Sequence, residues 1–384
     1  MLSKTLKTAT LASFIGIGLV SNISLAETTE QKLQRLESEM SELKDQLNAT
    51  AEAVDEASSS SSANKTRING YGELHYNNLE TDDGSKEKKE LDFHRFVLEV
   101  GHDFTDRTRF FSELELEHSI AGDGKVGEIE LEQAFIEHDL TKNLSAKAGV
   151  MLIPVGILNE THEPATFYGV ERNNVEKNII PATWWGGGLG LTGHTANGFG
   201  YDLMIHEGLN VGDDFKIRSG RQKTGKAKAE DFAFTGRLKY TGFQGLELAT
   251  TVQHQSDFAQ GAAHGGSANL VETHATINKG RFGAKALYAQ WDLDGSAAKA
   301  AQKDVQNGAY VEGSFKVTPK LGAFARYGVW DNGGVGDTEI SQVDVGANYW
   351  LNQSVVFKVD YQNQDAANDS KASDGFNLGV GYQF

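Results

Sequence analysis

The last ten residues alternate apolar side chains with polar or small ones, and this alternation constrains the fold more than any other feature. One face of an extended 375–384 segment would carry Phe376, Leu378, Val380, Tyr382 and Phe384, and the other Asn377 and Gln383. Because successive side chains of a strand point to opposite faces, we predict a strand with one apolar and one polar side. A transmembrane β-barrel strand has these two sides, and so does the edge strand of a soluble sandwich.

The N-terminal residues 1–26 predict export. Lys4 and Lys7 precede an apolar run from about residue 11 to residue 20, and Ser24-Leu25-Ala26 follows, which is typical of a secretory signal peptide cleaved after Ala26. The run is too short to cross a bilayer as a helix, and no later segment approaches about 20 continuous apolar residues. Residence in a membrane would therefore require strands.

Composition excludes several classes of function. The chain has no cysteine, which excludes disulfides, zinc-thiolate sites and thiol catalysis. It has 53 acidic and 36 basic residues, a formal net charge of −17. Because nucleic-acid binding requires a basic surface, we expect no nucleic-acid partner.

Residues 27–57 predict a short α-helical coiled coil. Apolar residues recur there at alternating spacings of three and four, as in an a/d seam: Leu33, Leu36, Met40, Leu43, Leu47, Thr50 and Val54. A single amphipathic helix packed on a neighbour would give the same pattern. The serine-rich residues 58–66 predict a flexible linker.

From about residue 67 onward the period changes to two, and sixteen segments qualify as strands. They are 67–77, 91–102, 107–119, 128–138, 144–152, 184–195, 199–208, 231–241, 245–256, 269–277, 281–291, 307–317, 321–330, 338–350, 354–363 and 375–384.

The connections between these strands alternate in length. Those after even-numbered strands are short, such as Asn197-Gly198, whereas those after odd-numbered strands are mostly longer, and 153–183 is the longest. A barrel with both termini in the periplasm has short periplasmic turns and long outer loops, and no soluble sandwich requires that alternation. We therefore predict an all-β fold at 67–384, a 16-stranded antiparallel transmembrane β-barrel preceded by the coiled coil.

The 153–183 connection is the first candidate functional segment, because ordered loops of this length are usually functional. Folded inward, it would narrow the lumen with the polar side chains Glu160, His162, Glu163, Glu171 and Arg172. A surface lid or a contact between subunits is the alternative.

Charged side chains on the strands are the second candidate set. They must face the lumen, because a charge facing lipid costs about 2–4 kcal/mol at the bilayer midplane. The early strands would contribute Glu113, Glu115, Glu117, Glu130 and Glu132, and the later strands Arg237, Lys239, Lys285, Lys316, Arg326 and Lys358. Opposed walls of this kind would order dipolar solutes. Mutual neutralisation without a role in selection is equally open.

Two further groups carry alternative interpretations. The 209–230 connection holds a basic cluster, which would attract anions or lipopolysaccharide phosphate at the outer mouth or would simply be solvated: Lys216, Arg218, Arg221, Lys223, Lys226 and Lys228. The tryptophans fall near strand ends, which suits an interfacial aromatic girdle or packing inside the loops: Trp184, Trp185, Trp291, Trp330 and Trp350.

Motifs for catalysis are nearly absent. Gly188–Gly193 matches G-x-G-x-x-G but lies within a strand and opens no helix, and Glu160-Thr161-His162-Glu163 could hold a metal only in principle. The sequence has no H-E-x-x-H and no G-x-S-x-G. We expect no enzymatic activity, no cofactor and no metal.

Several segments carry a family resemblance. They are Arg95–Val100, Leu131–Ile136, Lys147–Gly156 leading into the long loop, and Glu171-Arg172 with Gly186–Gly193 on the return from it. The chain resembles the phosphate-selective porin O/P family of Gram-negative outer membranes. The resemblance implies a homotrimer of sixteen-stranded barrels, some preceded by a periplasmic coiled coil. Phosphate selection in that family uses lumen arginines and lysines, whereas the first lumen strands here are rich in glutamate.

These patterns together predict passive diffusion of small hydrophilic or charged solutes across the outer membrane, surrounded by lipid and lipopolysaccharide. Both barrel termini and the coiled coil would be periplasmic, and Phe384 resembles the signal that barrel assembly machinery recognises. The alternatives are a structural or adhesive barrel tethered by the coiled coil, and a hydrolase embedded in a barrel. The natural permeant is not encoded in any motif.

Overall fold

The computed structural model describes residues 65–367 and 371–384. The predicted signal peptide, the coiled coil and residues 58–64 of the predicted linker lie outside the described residues. Sixteen strands form one closed antiparallel barrel in which each strand pairs with its neighbours in sequence. The last strand pairs with the first, from Tyr71 opposite Gln383 to Thr81 opposite Ser373, so the sheet has no open edge.

The strands are β1 (Thr66–Thr81), β2 (Glu87–Thr105), β3 (Thr108–Glu117), β4 (Ile129–Thr141), β5 (Leu144–Leu152), β6 (Trp185–His194), β7 (Phe199–His206), β8 (Ala233–Tyr240), β9 (Leu246–Gln255), β10 (Ser267–Lys279), β11 (Phe282–Asp294), β12 (Val305–Lys316), β13 (Leu321–Asp331), β14 (Ile340–Trp350), β15 (Val355–Ala366) and β16 (Ser373–Gln383). Within the described residues, two short α-helices, α1 (Val175–Asn178) and α2 (Ser296–Ala300), and a 3-10 turn at Arg218–Gly220 lie in connections. None of the described helices is long and apolar enough to cross a membrane.

All sixteen predicted strands are present, which confirms the barrel. The largest boundary differences lie in the first hairpin, where the predicted 78–90 loop is reduced to residues 82–86 between β1 and β2. Polar residues such as Lys88 and Glu90 lie in the ladder, opposite Leu79 and Asn77. Their side chains are exposed, so the apolar alternation used to find the strands is lost there although the backbone pairing continues.

The two faces of the wall have opposite polarity, as the alternation predicts. On β3, Leu114 is 44% exposed on the outside, whereas its neighbours Glu113 and Glu115 are 2% and 4% exposed on the inside. Arg326 and Lys358 are likewise buried inside the barrel. The interior is therefore a charged lumen that is largely filled.

The girdle interpretation is wrong for Trp184, Trp185, Trp291 and Trp330, which are each 5% exposed or less. The rings of Trp184 and Trp291 lie 6.0 Å apart, and the indole nitrogen of Trp291 donates to the Ile179 carbonyl oxygen at 2.9 Å. Trp184, Trp291 and Trp330 belong to a buried apolar cluster to which the 153–184 connection contributes residues such as Ile179.

A buried charge network joins β12, β13 and β14. Arg326 donates to Glu312 at 2.7 Å and to the Tyr168 carbonyl oxygen at 2.8 Å, and a guanidinium nitrogen lies 3.5 Å from Asp344. The three charged side chains are 5%, 6% and 6% exposed respectively. Arg326 is therefore the nearest cation to both carboxylates, with Lys285 farther from Glu312 at 3.9 Å.

Replacing Arg326 with methionine is expected to lower the free energy of unfolding by roughly 3–5 kcal/mol, because it leaves Asp344 without a cation among the described residues and Glu312 with Lys285 alone at 3.9 Å. Guanidinium unfolding of the purified barrel in lipid vesicles measures the change. The matched control is the double variant Arg326→Met with Glu312→Gln, which should lose less than the sum of the single losses. A single variant with an unchanged unfolding midpoint would contradict the assignment.

Candidate functional site: a lumen narrowed by a long loop

The connection between β5 and β6, residues 153–184, crosses the interior of the barrel; we call it the lumen loop. Its backbone contacts strands far apart around the wall. Arg95 on β2 donates to the His162 carbonyl oxygen at 2.6 Å, and Thr251 on β9 donates to Pro154 at 3.1 Å. The Val170 backbone nitrogen donates to Asp360 on β15 at 2.6 Å. The 153–183 connection therefore folds into the lumen, as predicted.

One buried carboxylate organises the loop. Glu176, at the start of α1, is 0% exposed and accepts hydrogen bonds from the backbone nitrogens of Ile157 at 2.8 Å and Leu158 at 2.6 Å. Tyr310 on β12 donates to its other oxygen at 2.7 Å. Gly156 has φ +72°, and a Cβ there would lie 2.7 Å from Glu176, so this turn requires glycine. Sequence reasoning missed Glu176, which no motif marks.

Glutamates of β3 and β4 form an acidic wall beside the loop. Tyr71 and Gln133 each donate to Glu113 at 2.7 Å. His162 brings the loop onto this wall, with its Nε2 3.5 Å from both Glu113 and Glu132. Burial lowers the pKa of His162, but its interactions with the two carboxylates outweigh burial and raise that pKa to about 9. Three of the predicted site residues are thereby brought together.

A second ionic cluster lies next to this wall. Arg95, 0% exposed, donates to Glu73 at 2.6 Å and lies 3.9 Å from Glu115. His75 bridges Glu73 and Glu171 of the loop, at 3.1 Å from each. Burial raises the pKa of Glu171, but hydrogen bonding to His75 holds it well below its usual value. Arg95 was not among the candidates, although it opens one of the family-like segments.

The lumen retains a gap of about 110 Å³ beside the loop. Its lining combines glutamates of the strands with cations of two loops: Glu115, Glu117, Glu130 and Glu132 with Arg172, Lys177, Arg218, Arg221 and Lys223. A second cavity of about 170 Å³ is lined by Lys177, Glu171, Asp344 and Asp360 among others. Opposite charges thus meet in the gap, but its cations come from loops and not, as the sequence predicts, from the later strands.

Three residues of the basic cluster at 209–230 turn inward instead of being solvated, and one of them, Lys223, pairs with Glu130. Arg218 donates to the carbonyl oxygens of Lys177 at 3.0 Å and Ala182 at 2.7 Å, and Arg221 donates to that of Pro181 at 3.0 Å. Burial lowers the pKa of both side chains. A guanidinium nevertheless stays charged at neutral pH, so both bring positive charge to the lumen loop.

The remaining candidates on the later strands are mostly neutralised. Arg237 pairs with Asp202 at 2.7 Å and with Glu160 of the loop. Lys239 lies 3.9 Å from Glu247, and Lys285 lies 3.9 Å from Glu312.

Two lysines contact aromatic rings. Lys316 lies 3.3 Å from the centre of the Trp350 ring, and Lys358 lies 3.5 Å from that of Phe167. Glu163 is partly exposed and lies outside the linings of the two cavities. The predicted late cationic wall therefore does not face the gap.

A closed sixteen-stranded barrel with an apolar outer face, a charged lumen and a loop that narrows it has the architecture of an outer-membrane porin. The sequence model of the family described as phosphate-selective porin O and P matches residues 67–384, so the chain belongs to that family. The family resemblance of the sequence is confirmed.

Individual proteins are more distant. An uncharacterized protein of Aquifex aeolicus (strain VF5) is 39% identical over 180 residues, which cover 45% of this chain but only 40% of that protein. The anion-selective porin from Comamonas acidovorans has a TM-score of 0.61 at 12% identity, covering 83% of this chain and 99% of that one. OmpT of Vibrio cholerae in its trimer form has a TM-score of 0.55 at 12% identity, covering 84% and 100%. These structural likenesses show the fold.

Proposed function

We propose that this porin is a passive diffusion channel for small hydrophilic or charged solutes, with the lumen loop as its constriction. The observation that carries the proposal is the path of residues 153–184 across the lumen, which leaves a charged gap of about 110 Å³. The loop narrows the lumen and so favours small solutes, and the charged lining favours hydrated solutes over apolar ones.

The mixed lining points to a preference among those solutes. Glutamates of β3 and β4 share the gap with arginines and lysines of the loops, so a solute with one positive and one negative group would be oriented there. We do not extend this to phosphate, since six glutamates share the lining with its five arginines and lysines.

Recording from purified protein in planar lipid bilayers tests the channel. Stepwise increases in conductance are expected, since a water-filled path through a fixed wall conducts as discrete units. A salt gradient across the bilayer then reports the sign of the preferred ion through the reversal potential. Heat-denatured protein is the control, and folded protein that inserts without conductance steps would refute the proposal.

For assembly and orientation, we propose a homotrimer in the outer membrane with lipid and lipopolysaccharide around it. Both barrel termini and the coiled coil of 27–57 would lie in the periplasm, with short turns such as Asn197-Gly198 on the same side. Phe384 is 58% exposed and follows the last paired strand, where assembly machinery could reach it.

A further inference from the structure

The contact between the lumen loop and the acidic wall has the chemistry of a metal site. Glu113, Glu132 and His162 offer ligand atoms that all lie within 4.8 Å of one another. The three side chains are 2%, 2% and 3% exposed. Within the described part of the chain, the Oε2 atom of Glu132 and the Nε2 atom of His162 lack a hydrogen-bond partner although both are buried.

The spacing of these atoms fits a shared ion better than direct hydrogen bonds. The Nε2 atom of His162 lies 3.5 Å from an oxygen of Glu113 and 3.5 Å from one of Glu132. A hydrogen bond between nitrogen and oxygen normally spans about 2.7–3.2 Å. Ligands placed about 2.0–2.2 Å from a tetrahedral ion lie roughly 3.4 Å apart, close to the two observed separations.

The surroundings hold these ligands as metal sites usually do. The Nδ1 atom of His162 lies 3.1 Å from the Asn159 carbonyl oxygen, and donation to it leaves Nε2 free as a ligand. Tyr71 and Gln133 donate to the two oxygens of Glu113, at 2.7 Å each, and so fix the carboxylate. Outer partners of this kind orient metal ligands and raise affinity.

The charge around the site and the access to it from the lumen also favour a bound cation. Among the described residues, His162 is the one basic side chain within 4.0 Å of Glu113 or Glu132, because Arg95 pairs with Glu73 and Glu115. Two buried carboxylates therefore have one imidazole as their nearest basic group. Glu132 also borders the 110 Å³ gap, so an ion in the lumen could reach it.

We propose that Glu113, Glu132 and His162 bind one divalent transition-metal ion of the Zn²⁺ type, which fastens the lumen loop to the acidic wall. A histidine nitrogen with two carboxylates suits Zn²⁺, whereas Ca²⁺ and Mg²⁺ take oxygen ligands. Residues 160–163 were a weak metal candidate from sequence, but only His162 of that stretch enters this site, and its partners come from β3 and β4.

Zinc titration of the full chain tests the proposal. The protein is purified in detergent and stripped of metal, and its affinity for Zn²⁺ is measured by competition with a colorimetric chelator. The wild type should bind one Zn²⁺ per chain, and His162→Gln should lose more than about 100-fold in affinity, exceeding the loss typical of an outer partner. Tyr71→Phe, which only weakens the support of Glu113, should lose about 10–100-fold.

The control is a second cluster, Asp92 with His94 and His118, whose side chains are only partly buried and which we expect to stay empty at the Zn²⁺ concentrations that fill the first site. His118→Gln should leave the affinity unchanged. A wild type that binds no Zn²⁺, a His162→Gln protein with unchanged affinity, or a loss in His118→Gln would each overturn the proposal. If His162→Gln fails to fold, the visible absorption of Co²⁺ in wild type and its loss in Glu132→Gln decide the question instead.

Discussion

Replacing residues 160–178 with a short glycine-serine linker is expected to raise the conductance of each barrel several-fold. These residues include the segment that reaches Arg95, Arg326 and Asp360 on separate parts of the wall. Without them the lumen is bounded by the strands, the retained ends of the loop and the inward-turned 209–230 connection, and resistance falls because the cross-section widens. Single-channel recording at a fixed salt concentration measures the change directly.

The design keeps the two ends of the loop in place. Asn159 donates to the carbonyl oxygens of Ile153 at 2.8 Å and Trp184 at 2.9 Å, so the two arms of the loop lie side by side. In the variant, the glycine-serine linker joins residue 159 to residue 179. The deletion also removes Glu176, the acceptor of the Ile157 and Leu158 backbone nitrogens, whereas Ile153, Ile179 and Ile180 of the buried apolar cluster are retained.

A matched control shortens a different connection. Residues 122–126, between β3 and β4, are exposed and lie outside the linings of the two lumen cavities. Removing part of that segment should leave conductance unchanged. A lumen-loop deletion that still migrates as a folded barrel, yet conducts like the wild type, would mean that the constriction lies elsewhere.

The strand pattern could be predicted because it is local. Alternation along β5 alone gives Leu144–Leu152 with no error at either end. The same alternation along β3 predicts that Glu113 and Glu115 face inward, as they do. The outer face, the lumen face and the closure of the sheet all follow from period two and from turn length. None of these depends on knowing a partner distant in sequence.

The composition of the site could not be predicted in the same way. The two-residue alternation assigns each side chain to a face of the sheet, but it does not say which charges meet across the lumen or where a loop runs. Arg237 pairs with Glu160, which comes from the lumen loop, so a charge expected on an open wall is neutralised. Arg218 and Arg221 reach the lumen only because their connection folds onto the carbonyl oxygens of the other loop.

The gap therefore has identifiable charges whose removal should change ion preference. Glu117 lies on the acidic wall, and Lys177 lies on the lumen loop; both line the gap, and Lys177 is exposed to it. Glu117→Gln should shift the reversal potential in a salt gradient toward anions, and Lys177→Gln should shift it toward cations. Glutamine keeps similar bulk, so the change in charge is isolated from a change in width.

Glu113 is a poorer choice for this test, although the sequence places it beside Glu117. It is 2% exposed and holds hydrogen bonds from Tyr71 and Gln133, so its loss would disturb the wall itself. A Glu113→Gln variant with altered stability but unchanged ion preference would fit a structural role for Glu113 in the wall. Unchanged reversal potentials in both Glu117→Gln and Lys177→Gln would instead remove the gap from the selectivity of the channel.

The size of the shift can be bounded. Two unit charges about 4 Å apart in water interact by about 1 kcal/mol, which corresponds to roughly a five-fold change in local ion population. The measured permeability ratio should change by less, because the other charged side chains of the gap remain. The double variant, Glu117→Gln with Lys177→Gln, should return toward the wild-type permeability ratio if the two charges act independently. A double variant that keeps the wild-type ratio but passes dipolar solutes more slowly would indicate that the pair orients them jointly.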